Sequence, residues 1–514
     1  MRTFVLLVAL ITMPTIGCAQ SRFTQTNSPG PNAVGLRVVE QYDHSRSYRG
    51  ATDPNTGKPV TGERARPIQT LIWYPAERES GRTMTAGDYL RLGATAETFG
   101  QTPAQRASLE GRYVEQQLAA LPPKRAQAEL AAPMIAHRDA PARAGKFPVV
   151  IYAPAFGGDA AENADLCEYL ASFGYVLIAS PSQGQSPSGM TTDLEGVEAQ
   201  MGDIQFLIGY AHALPQADLQ HLAVMGYSWG GLANVMAAAK DTRIKALVSL
   251  DGSVRYWPDV VAQSRFLMPE RITVPMLYVA SAPKQMEELP ANWNRDTSFL
   301  NKMKYADLYR VTLAPYVHAN FAVMFNQRFG AEDPDADYDE GELSVANGWL
   351  ETYVRRFLDG FLKDDAAGRA FLETPVARVG APAHLLTMYQ RKAEGVPPTR
   401  TAFAAELARQ GFAQAPAIYR AFKQRSPAFD ISDDDLINWG YALLNDGDLP
   451  ASIAILRLDT ALHADSWNGW DSLGDAYLKN GDRVPAIEAY RRSLALNPDN
   501  QNGKAKLTAL GVKL

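Results

Sequence analysis

A serine stands between two glycines in the segment VMGYSWGGLAN, residues 224–234. An apolar run leads into Gly226, and a helix-forming stretch follows Gly230. When a strand turns at once into a helix, the residue at the turn sits on a sharp bend that needs small neighbours and exposes its side chain. The sequence therefore predicts that Ser228 is a nucleophile.

A serine hydroxyl is a weak nucleophile and needs a general base, for which the chain offers seven histidines. With this type of turn the nucleophile, the acid and the histidine follow one another along the chain, which excludes the histidines before Ser228. His463 lies in a helical C-terminal region and His384 lies past the last strand signal. His318, in LAPYVHANF, directly follows an apolar strand candidate and is the predicted base.

The base must be held in one tautomer by a carboxylate. Asp251 ends the segment IKALVSLDG, directly after the strand that follows the nucleophile helix, and is the predicted acid. The next strand is followed by no aspartate, only by Glu287 and Glu288, so Glu287 is the main alternative. An Asp-Gly pair also favours an ordinary turn, which would give Asp251 no chemical role.

Attack on an ester carbonyl places negative charge on oxygen, and losing one hydrogen-bond donor to that oxygen costs about 2.7–4 kcal/mol. The N–H of Trp229, the residue after the nucleophile, is one predicted donor. The second donor is expected in the loop after FPVVIYAPAF, where Gly157 and Gly158 allow close backbone approach, and the N–H of Phe156 is our choice.

These residues follow strands of a regular plan, in which apolar strand candidates alternate with helical segments between residues 147 and 313. Apolar strands separated by helices predict a doubly wound α/β domain, with a mostly parallel sheet covered on both faces. Ligands bind such sheets at the carboxyl ends of the strands. VGLRVVEQYDHSR and RPIQTLIWYPAE are expected to add antiparallel edge strands, and residues 85–145 a helical insertion, within a domain of residues 20–380.

The composition excludes several classes of function. The chain has 514 residues, 46% of them hydrophobic, and a net charge of −6 without a run of basic residues, which argues against nucleic-acid binding. No His-Glu-x-x-His, cysteine pair or carboxylate cluster has metal-ligand spacing, so we expect no metal and no cofactor.

The N-terminus has the pattern of an export signal. Arg2 precedes an apolar run that is too short to span a bilayer comfortably, and small residues follow it. Residues 1–19 are therefore the predicted signal, and the chain is expected to be periplasmic or secreted. Alternatively, TIGC resembles a lipoprotein box in which Cys18 is acylated and tethers the protein to a membrane. Cys167 would then be the remaining thiol, and no intramolecular disulfide could form.

The C-terminal region differs in its pattern. Residues 381–430 are predicted to be a helical linker, and residues 431–514 tetratricopeptide-like repeats. The second repeat matches the known spacing at seven positions: Trp470, Leu473, Gly474, Tyr477, Ala486, Tyr490 and Pro498. Either a protein partner or intramolecular packing would use the concave face, and the sequence leaves both open.

Together the motifs resemble the platelet-activating factor acetylhydrolase family of α/β hydrolases over roughly residues 30–365. The resemblance rests on GYSWGG, LDGS, HANF and IWYPA. It implies an α/β-hydrolase fold, Ser228, Asp251 and His318 as catalytic triad, and Phe156 and Trp229 as oxyanion-hole positions. Where that family commonly has His-Gly, this chain has Pro154 and Ala155.

The sequence thus predicts a serine hydrolase that cleaves a small-molecule or lipid carboxylic ester through an acyl-enzyme. Two alternatives remain. The same fold and triad also occur in peptidases and amidases. The protein could instead be an interaction protein that uses its repeats and carries a vestigial hydrolase domain.

Overall fold

The structure, a computed structural model, describes residues 21–53, 56–281, 299–331 and 336–513. The predicted export signal with Cys18, and the alternative acid Glu287, lie outside these described residues. The chain divides into two compact units, Met1–Glu394 and Gly395–Leu514. In the described ranges, no helix is long and apolar enough to cross a membrane.

The first unit is built on a sheet of 11 strands in the order β11-β10-β9-β8-β7-β5-β6-β2-β1-β4-β3. In chain order the strands are β1 Ala33–Ser47, β2 Ala65–Ala76, β3 Thr83–Thr85, β4 Pro133–Arg138, β5 Phe147–Ala153, β6 Val176–Ala179, β7 Ala217–Tyr227, β8 Ile244–Leu250, β9 Met276–Ser281, β10 Leu308–Leu313 and β11 Leu386–Arg391. The six strands β10, β9, β8, β7, β5 and β6, which are neighbours in this order in the sheet, pair in parallel. Strands β1 and β2 pair antiparallel. The α/β-hydrolase fold expected from the sequence is confirmed.

Helices cover both faces of this sheet. They are α1 Ala86–Leu92, α2 Pro103–Gln117, α3 Pro123–Ala131, α4 Ala164–Ser172, α5 Leu194–Ala211, α6 Trp229–Lys240, α7 Pro258–Gln263, α8 Phe299–Lys302, α9 Glu340–Leu362, α10 Ala366–Glu373 and α11 Val376–Val379. Successive side chains of a strand point to opposite faces. In β5, Val150 and Tyr152 therefore join the core under α4 and α9, whereas Val149 and Ile151 join the core under α5 and α6.

The edge of the sheet near β1 differs from the expectation. β1 and β2 are antiparallel as predicted, but they are not the edge, because β4 pairs in parallel with β1 and β3 pairs with β4. Residues 85–145 are therefore not wholly a helical insertion, since they end in a strand of the sheet. In β4 only Met134 and Ala136 are fully buried, so its apolar alternation is too short to be recognised in the sequence.

The predicted boundary at residue 380 is also wrong. β11 pairs antiparallel with β10 along its whole length, so the sheet extends to Arg391. Only Leu386 of this strand is fully buried. An exposed edge strand has little apolar signal, which is why these residues were expected to be part of a helical linker.

The second unit is helical throughout its regular elements: α12 Arg400–Gln410, α13 Ala415–Arg425, α14 Asp433–Asn445, α15 Leu449–Leu462, α16 Trp467–Asn480, α17 Arg483–Leu496 and α18 Gln501–Ala509. Phe403 and Phe422 share one apolar cluster with Leu436 and Ile455. Residues 400–425 are thus helical as predicted, but they pack as a helix pair onto the repeats and do not form a linker.

The internal repeat is visible in the packing of α14 to α17. A Cβ atom on Gly440 would lie 2.5 Å from the side chain of Leu456, and one on Gly474 would lie 2.7 Å from the ring of Tyr490. Each glycine therefore lets the two helices of its pair approach closely. The positions of Gly440 and Leu456 correspond to those of Gly474 and Tyr490, one repeat of about 34 residues later.

The first described residues are bound to α9 through a buried carboxyl. The amide of Gln25 donates to both oxygens of Glu351, at 2.8 and 2.7 Å, and the amide of Asn27 donates to one of them at 3.0 Å. Glu351 is 1% exposed, and burial raises its pKa to about 8, against the hydrogen bonds of Gln25 and Asn27, which lower it.

This raised pKa predicts a loss of stability with rising pH. The unfolded chain releases the Glu351 proton near its ordinary pKa of 4.5, whereas the folded protein holds it to about 8. Stability contributed by the neutral carboxyl is complete below about pH 4.5 and is lost as the pH rises to 8, by about 1.4 kcal/mol for each unit of pKa shift. Glu351→Gln should therefore make the unfolding temperature fall less steeply between pH 5 and 8, as measured by circular dichroism.

Glu79→Gln is the control, because Glu79 is exposed. It should leave the dependence of the unfolding temperature on pH as in the wild type. Equal slopes in all three proteins would contradict the role given to Glu351.

Candidate active site

Ser228 lies between the end of β7 and the first residue of α6, in a backbone conformation that residues other than glycine rarely adopt, with φ 51° and ψ −115°. Such conformations cost about 1–3 kcal/mol and persist only where the surroundings hold them. Here the Ser228 N–H donates to Leu250 O at 3.0 Å, and the Ser228 carbonyl accepts from Ser253 N–H at 2.7 Å. The turn is therefore fixed from the neighbouring strand β8 and the loop after it.

The glycines on either side of Ser228 have no room for a side chain. A Cβ atom on Gly226 would lie 2.5 Å from the carbonyl carbon of Gly230. A Cβ atom on Gly230 would collide with the carbonyl oxygen of Ala153 at the end of β5. The close approach of strand and helix expected from the sequence is thus present, and it requires glycine at both positions.

The structure brings the three predicted residues Ser228, His318 and Asp251 into one hydrogen-bonded chain. Ser228 Oγ lies 2.9 Å from His318 Nε2, and His318 Nδ1 lies 2.7 Å from Asp251 Oδ2. An ionised carboxylate can only accept, so Nδ1 carries the proton and Nε2 is left to accept from the serine hydroxyl. Among the described residues, no other histidine is hydrogen-bonded to this hydroxyl.

Asp251 is fully buried, and its carboxylate is held from several sides. Ser281 Oγ donates to Oδ2 at 2.8 Å, and the Arg255 guanidinium lies 3.9 Å from Oδ1. Burial raises the pKa of Asp251, but the hydrogen bond and charge of His318, together with Ser281 and Arg255, outweigh it and hold the pKa below its usual value. The carboxylate is therefore ionised at neutral pH.

His318 is held by its backbone as well as by Asp251. The hydroxyl of Tyr227, the residue before the predicted nucleophile, donates to His318 O at 2.8 Å. The ring of Tyr256 lies edge-on to the imidazole, with centroids 6.2 Å apart. Because the histidine side chain is 47% exposed, these contacts orient a group that solvent or a substrate can still reach.

The two predicted oxyanion donors lie beside Ser228. Trp229 is the first residue of α6, so its N–H has no acceptor within the helix. The N–H of Phe156 has no hydrogen-bond partner among the described residues. The rings of Phe156 and Trp229 pack edge to face, with centroids 5.9 Å apart. Both N–H groups are thus available for a ligand atom.

A cleft of about 530 Å³ opens above these groups. Its described lining is rich in aromatic side chains, with Phe156, Trp229, Tyr256 and Trp257 around Ser228 and His318. Trp257 packs perpendicular to Trp229 at 5.6 Å between ring centroids. The cleft therefore offers apolar surface to a ligand whose reacting atom reaches the serine hydroxyl.

Sequence reasoning did not identify several supporting residues. Ser281 donates to Asp251, Tyr227 donates to the carbonyl of His318, and the buried Glu162 accepts the N–H of Ala155 in the loop that carries Phe156. The tyrosine is adjacent to the serine in GYSWGG and could have been noticed. Ser281 is 30 residues from Asp251, and Glu162 is 7 residues from Ala155 across an irregular loop, so neither contact leaves a recognisable pattern in the sequence.

No group of three or more metal-ligating side chains occurs in the part of the chain that the structure describes.

Comparisons with known proteins find two family models that match parts of the chain. Residues 134–282 match the model of the dienelactone hydrolase family, and residues 467–500 match the tetratricopeptide repeat model. The first match lies within the sheet-containing unit and covers less than half of the chain. The match is to the dienelactone hydrolase family and does not specifically support the platelet-activating factor acetylhydrolases that the short motifs resemble.

Two curated relatives are named "Putative carboxymethylenebutenolidase". One, from Methylorubrum extorquens, is 25% identical over 146 residues, and the other, from Synechocystis sp., is 28% identical over 149 residues. Each alignment covers 26% of this chain and about half of the relative, 48% and 59% respectively. A solved ferulic acid esterase from Streptomyces cinnamoneus aligns at 19% identity with a TM-score of 0.49, covering 70% of this chain and 98% of that chain.

The close packing around the serine predicts a large effect of one methyl group. Gly230→Ala should destabilise the first unit by about 1–3 kcal/mol, because its Cβ atom collides with backbone that cannot rotate away. Gly209→Ala is the matched control, since Gly209 is an exposed residue of α5 with open space around the position of a Cβ. It should stabilise by about 0.5–1 kcal/mol. Urea unfolding of both variants measures these changes, and equal effects would contradict the packing argument.

Proposed function

We propose that the protein is a serine carboxylic-ester hydrolase that works through an acyl-enzyme on Ser228. The observation that carries the proposal is the continuous hydrogen-bonded chain from Ser228 Oγ through His318 to the ionised, buried Asp251. The dienelactone hydrolase match of residues 134–282 supports the same class of reaction.

In the proposed reaction His318 Nε2 takes the proton of Ser228 Oγ as the oxygen attacks the ester carbonyl. The charge that develops on the carbonyl oxygen is received by the N–H groups of Phe156 and Trp229. Asp251 stabilises the imidazolium, which then gives its proton to the leaving alcohol. Water, activated by the same imidazole, hydrolyses the acyl-enzyme and restores the serine.

The aromatic lining of the cleft supports an apolar substrate group. Phe156, Trp229, Tyr256 and Trp257 can pack against an acyl chain or an aryl group. The short motifs shared with platelet-activating factor acetylhydrolases favour a small-molecule or lipid ester, and they support the same three reacting side chains. We propose an ester of this broad class as the substrate.

Labelling with a fluorophosphonate probe tests the nucleophile. The wild-type protein should be labelled and should hydrolyse p-nitrophenyl acetate, and Ser228→Ala should abolish both, because no other hydroxyl among the described residues is hydrogen-bonded to the His318 imidazole. Ser253→Ala is the control, since Ser253 lines the same cleft without a hydrogen bond from its hydroxyl to His318. Labelling that survives in the Ser228 variant would refute the proposal.

Asp251→Asn tests the acid separately. When the asparagine donates its N–H to His318 Nδ1, the imidazole proton moves to Nε2, which can no longer accept from Ser228, so kcat should fall by about 10⁴-fold. The fall should be present at neutral pH, where the wild-type aspartate is ionised. If the variant keeps the wild-type kcat, Asp251 is only a turn residue and has no catalytic role.

Matched substrates separate an esterase from the alternative peptidase or amidase. We expect turnover of p-nitrophenyl esters and little turnover of aminoacyl p-nitroanilides. A series of acyl chains from acetyl upward then reports the depth of the cleft. Faster turnover of the anilides would favour the alternative.

The remaining expectations concern the ends of the chain. We propose that the repeats bind a protein partner, supported by the tetratricopeptide match of residues 467–500. We also propose that the chain is exported, with residues 1–19 as signal and Cys18 as an alternative site of lipid attachment. Pull-downs with and without residues 431–514 test the first proposal. Cell fractionation of the wild type and Cys18→Ser tests the second.

A further inference from the structure

The loop between β5 and α4 is fixed by its backbone on both sides of Phe156. The carbonyl of Pro154 accepts from Gln200 Nε2 at 2.7 Å, and the N–H of Ala155 donates to Glu162 Oε1 at 2.8 Å. The carbonyl of Gly158 accepts from the N–H of Ser182 at 2.9 Å. Two side chains, Gln200 and Glu162, thus hold the two residues before Phe156.

Glu162 is placed to act as a rigid support. It is 2% exposed, and its Oε1 also accepts the hydroxyl of Tyr152 at 2.6 Å, which in turn accepts from Asn163 Nδ2 at 2.6 Å. Its backbone carbonyl accepts from Met324 N–H at 3.0 Å. Besides its bond to the N–H of Ala155, Glu162 is therefore held by strand β5 through Tyr152 and by the backbone of Met324.

We propose that Glu162 is a positioning residue for the oxyanion hole. By accepting the N–H of Ala155, it fixes the Pro154–Ala155 peptide, one peptide before the one that carries the Phe156 N–H, so that this N–H stays directed at the space above Ser228 Oγ. The inference rests on the proposed function, since a hole for a carbonyl oxygen has a purpose only if Ser228 attacks an ester.

The protonation state of the Glu162 carboxyl determines which substitution preserves its hydrogen bond with Ala155. Burial raises the pKa of Glu162 to about 8, although the hydrogen bonds of Tyr152 and Ala155 lower it. A neutral carboxyl and a glutamine amide have nearly the same shape, and both keep an oxygen that can accept. Glu162→Gln should therefore preserve the loop, whereas Glu162→Leu removes the acceptor at nearly the same volume.

Glu168 provides a matched control on the adjacent helix. It is 2% exposed, and like Glu162 it accepts from a tyrosine hydroxyl, Tyr89 at 2.5 Å, and from a backbone N–H, Ile135 at 2.7 Å. Burial raises its pKa to about 7. The N–H that it holds belongs to β4 and not to the loop of Phe156, so Glu168→Leu measures the cost of losing a buried carboxyl alone.

The experiment compares kcat, KM for p-nitrophenyl acetate and the inhibition constant of a boronic acid, which forms a tetrahedral adduct with the serine. In Glu162→Leu we expect kcat to fall and the boronic acid to bind more weakly by similar factors of about 10–100, with KM changed less than about threefold. Glu162→Gln should remain within about fivefold of wild type in kcat. Glu168→Leu should lower the unfolding temperature but leave kcat near the wild-type value.

Two results would overturn the inference: equal losses of kcat in Glu162→Leu and Glu168→Leu, or a loss in Glu162→Leu that appears only in KM. If Glu162→Leu does not fold, Gln200→Leu takes its place, because it removes the donor to Pro154 on the same loop and predicts the same pattern of kcat and inhibitor binding. Failure of the proposed function would look different: the wild-type protein would neither be labelled by fluorophosphonate nor hydrolyse the ester. That result would overturn the proposed function and this inference together.

Discussion

Contact between backbone atoms at glycines sets the geometry on which the site depends. Gly226 and Gly230 let β7 and α6 meet at an angle that leaves Ser228 with a positive φ. One residue further, a Cβ atom on Gly231 would lie 2.5 Å from the Cα of Gly252, which directly follows Asp251. The turns that carry Ser228 and Asp251 are therefore packed directly against each other. Their separation is fixed by main chain and depends little on flexible side chains.

The buried carboxyl groups of the first unit differ in their pKa values and so in their charge. Asp251, beside an imidazole and a guanidinium, has a lowered pKa and is charged. Glu162, Glu168 and Glu351 are as deeply buried but are surrounded by neutral donors, and burial raises the pKa of each. Asp251 thus carries a negative charge beside His318, whereas Glu162 and Glu351, with pKa values of about 8, are mainly neutral at pH 7.

The sequence predicted the parts of the molecule that have strong local signals. Parallel core strands, their helices and the turn at Ser228 have continuous apolar runs or a short motif, and so they were recognised. The exposed strand β11 and the short strand β4 bury too few side chains to show a period. The role of Glu162 could not be predicted, because a glutamate in a helical stretch usually faces solvent, and its contact with Ala155 depends on how the loop folds back. The assigned roles of Asp251 and of the oxyanion donors remain predictions that the geometry supports.

The ends of the repeat helices have one further consequence. Ser432, Ser466 and Asn500 cap α14, α16 and α18 at an interval of 34 residues, and each accepts the N–H of the third residue after it. Every helix pair therefore starts at the same kind of junction as the pair before it. A duplicated or deleted block of this length would join compatible ends, so the array can grow or shrink in whole units during evolution while the catalytic unit stays unchanged.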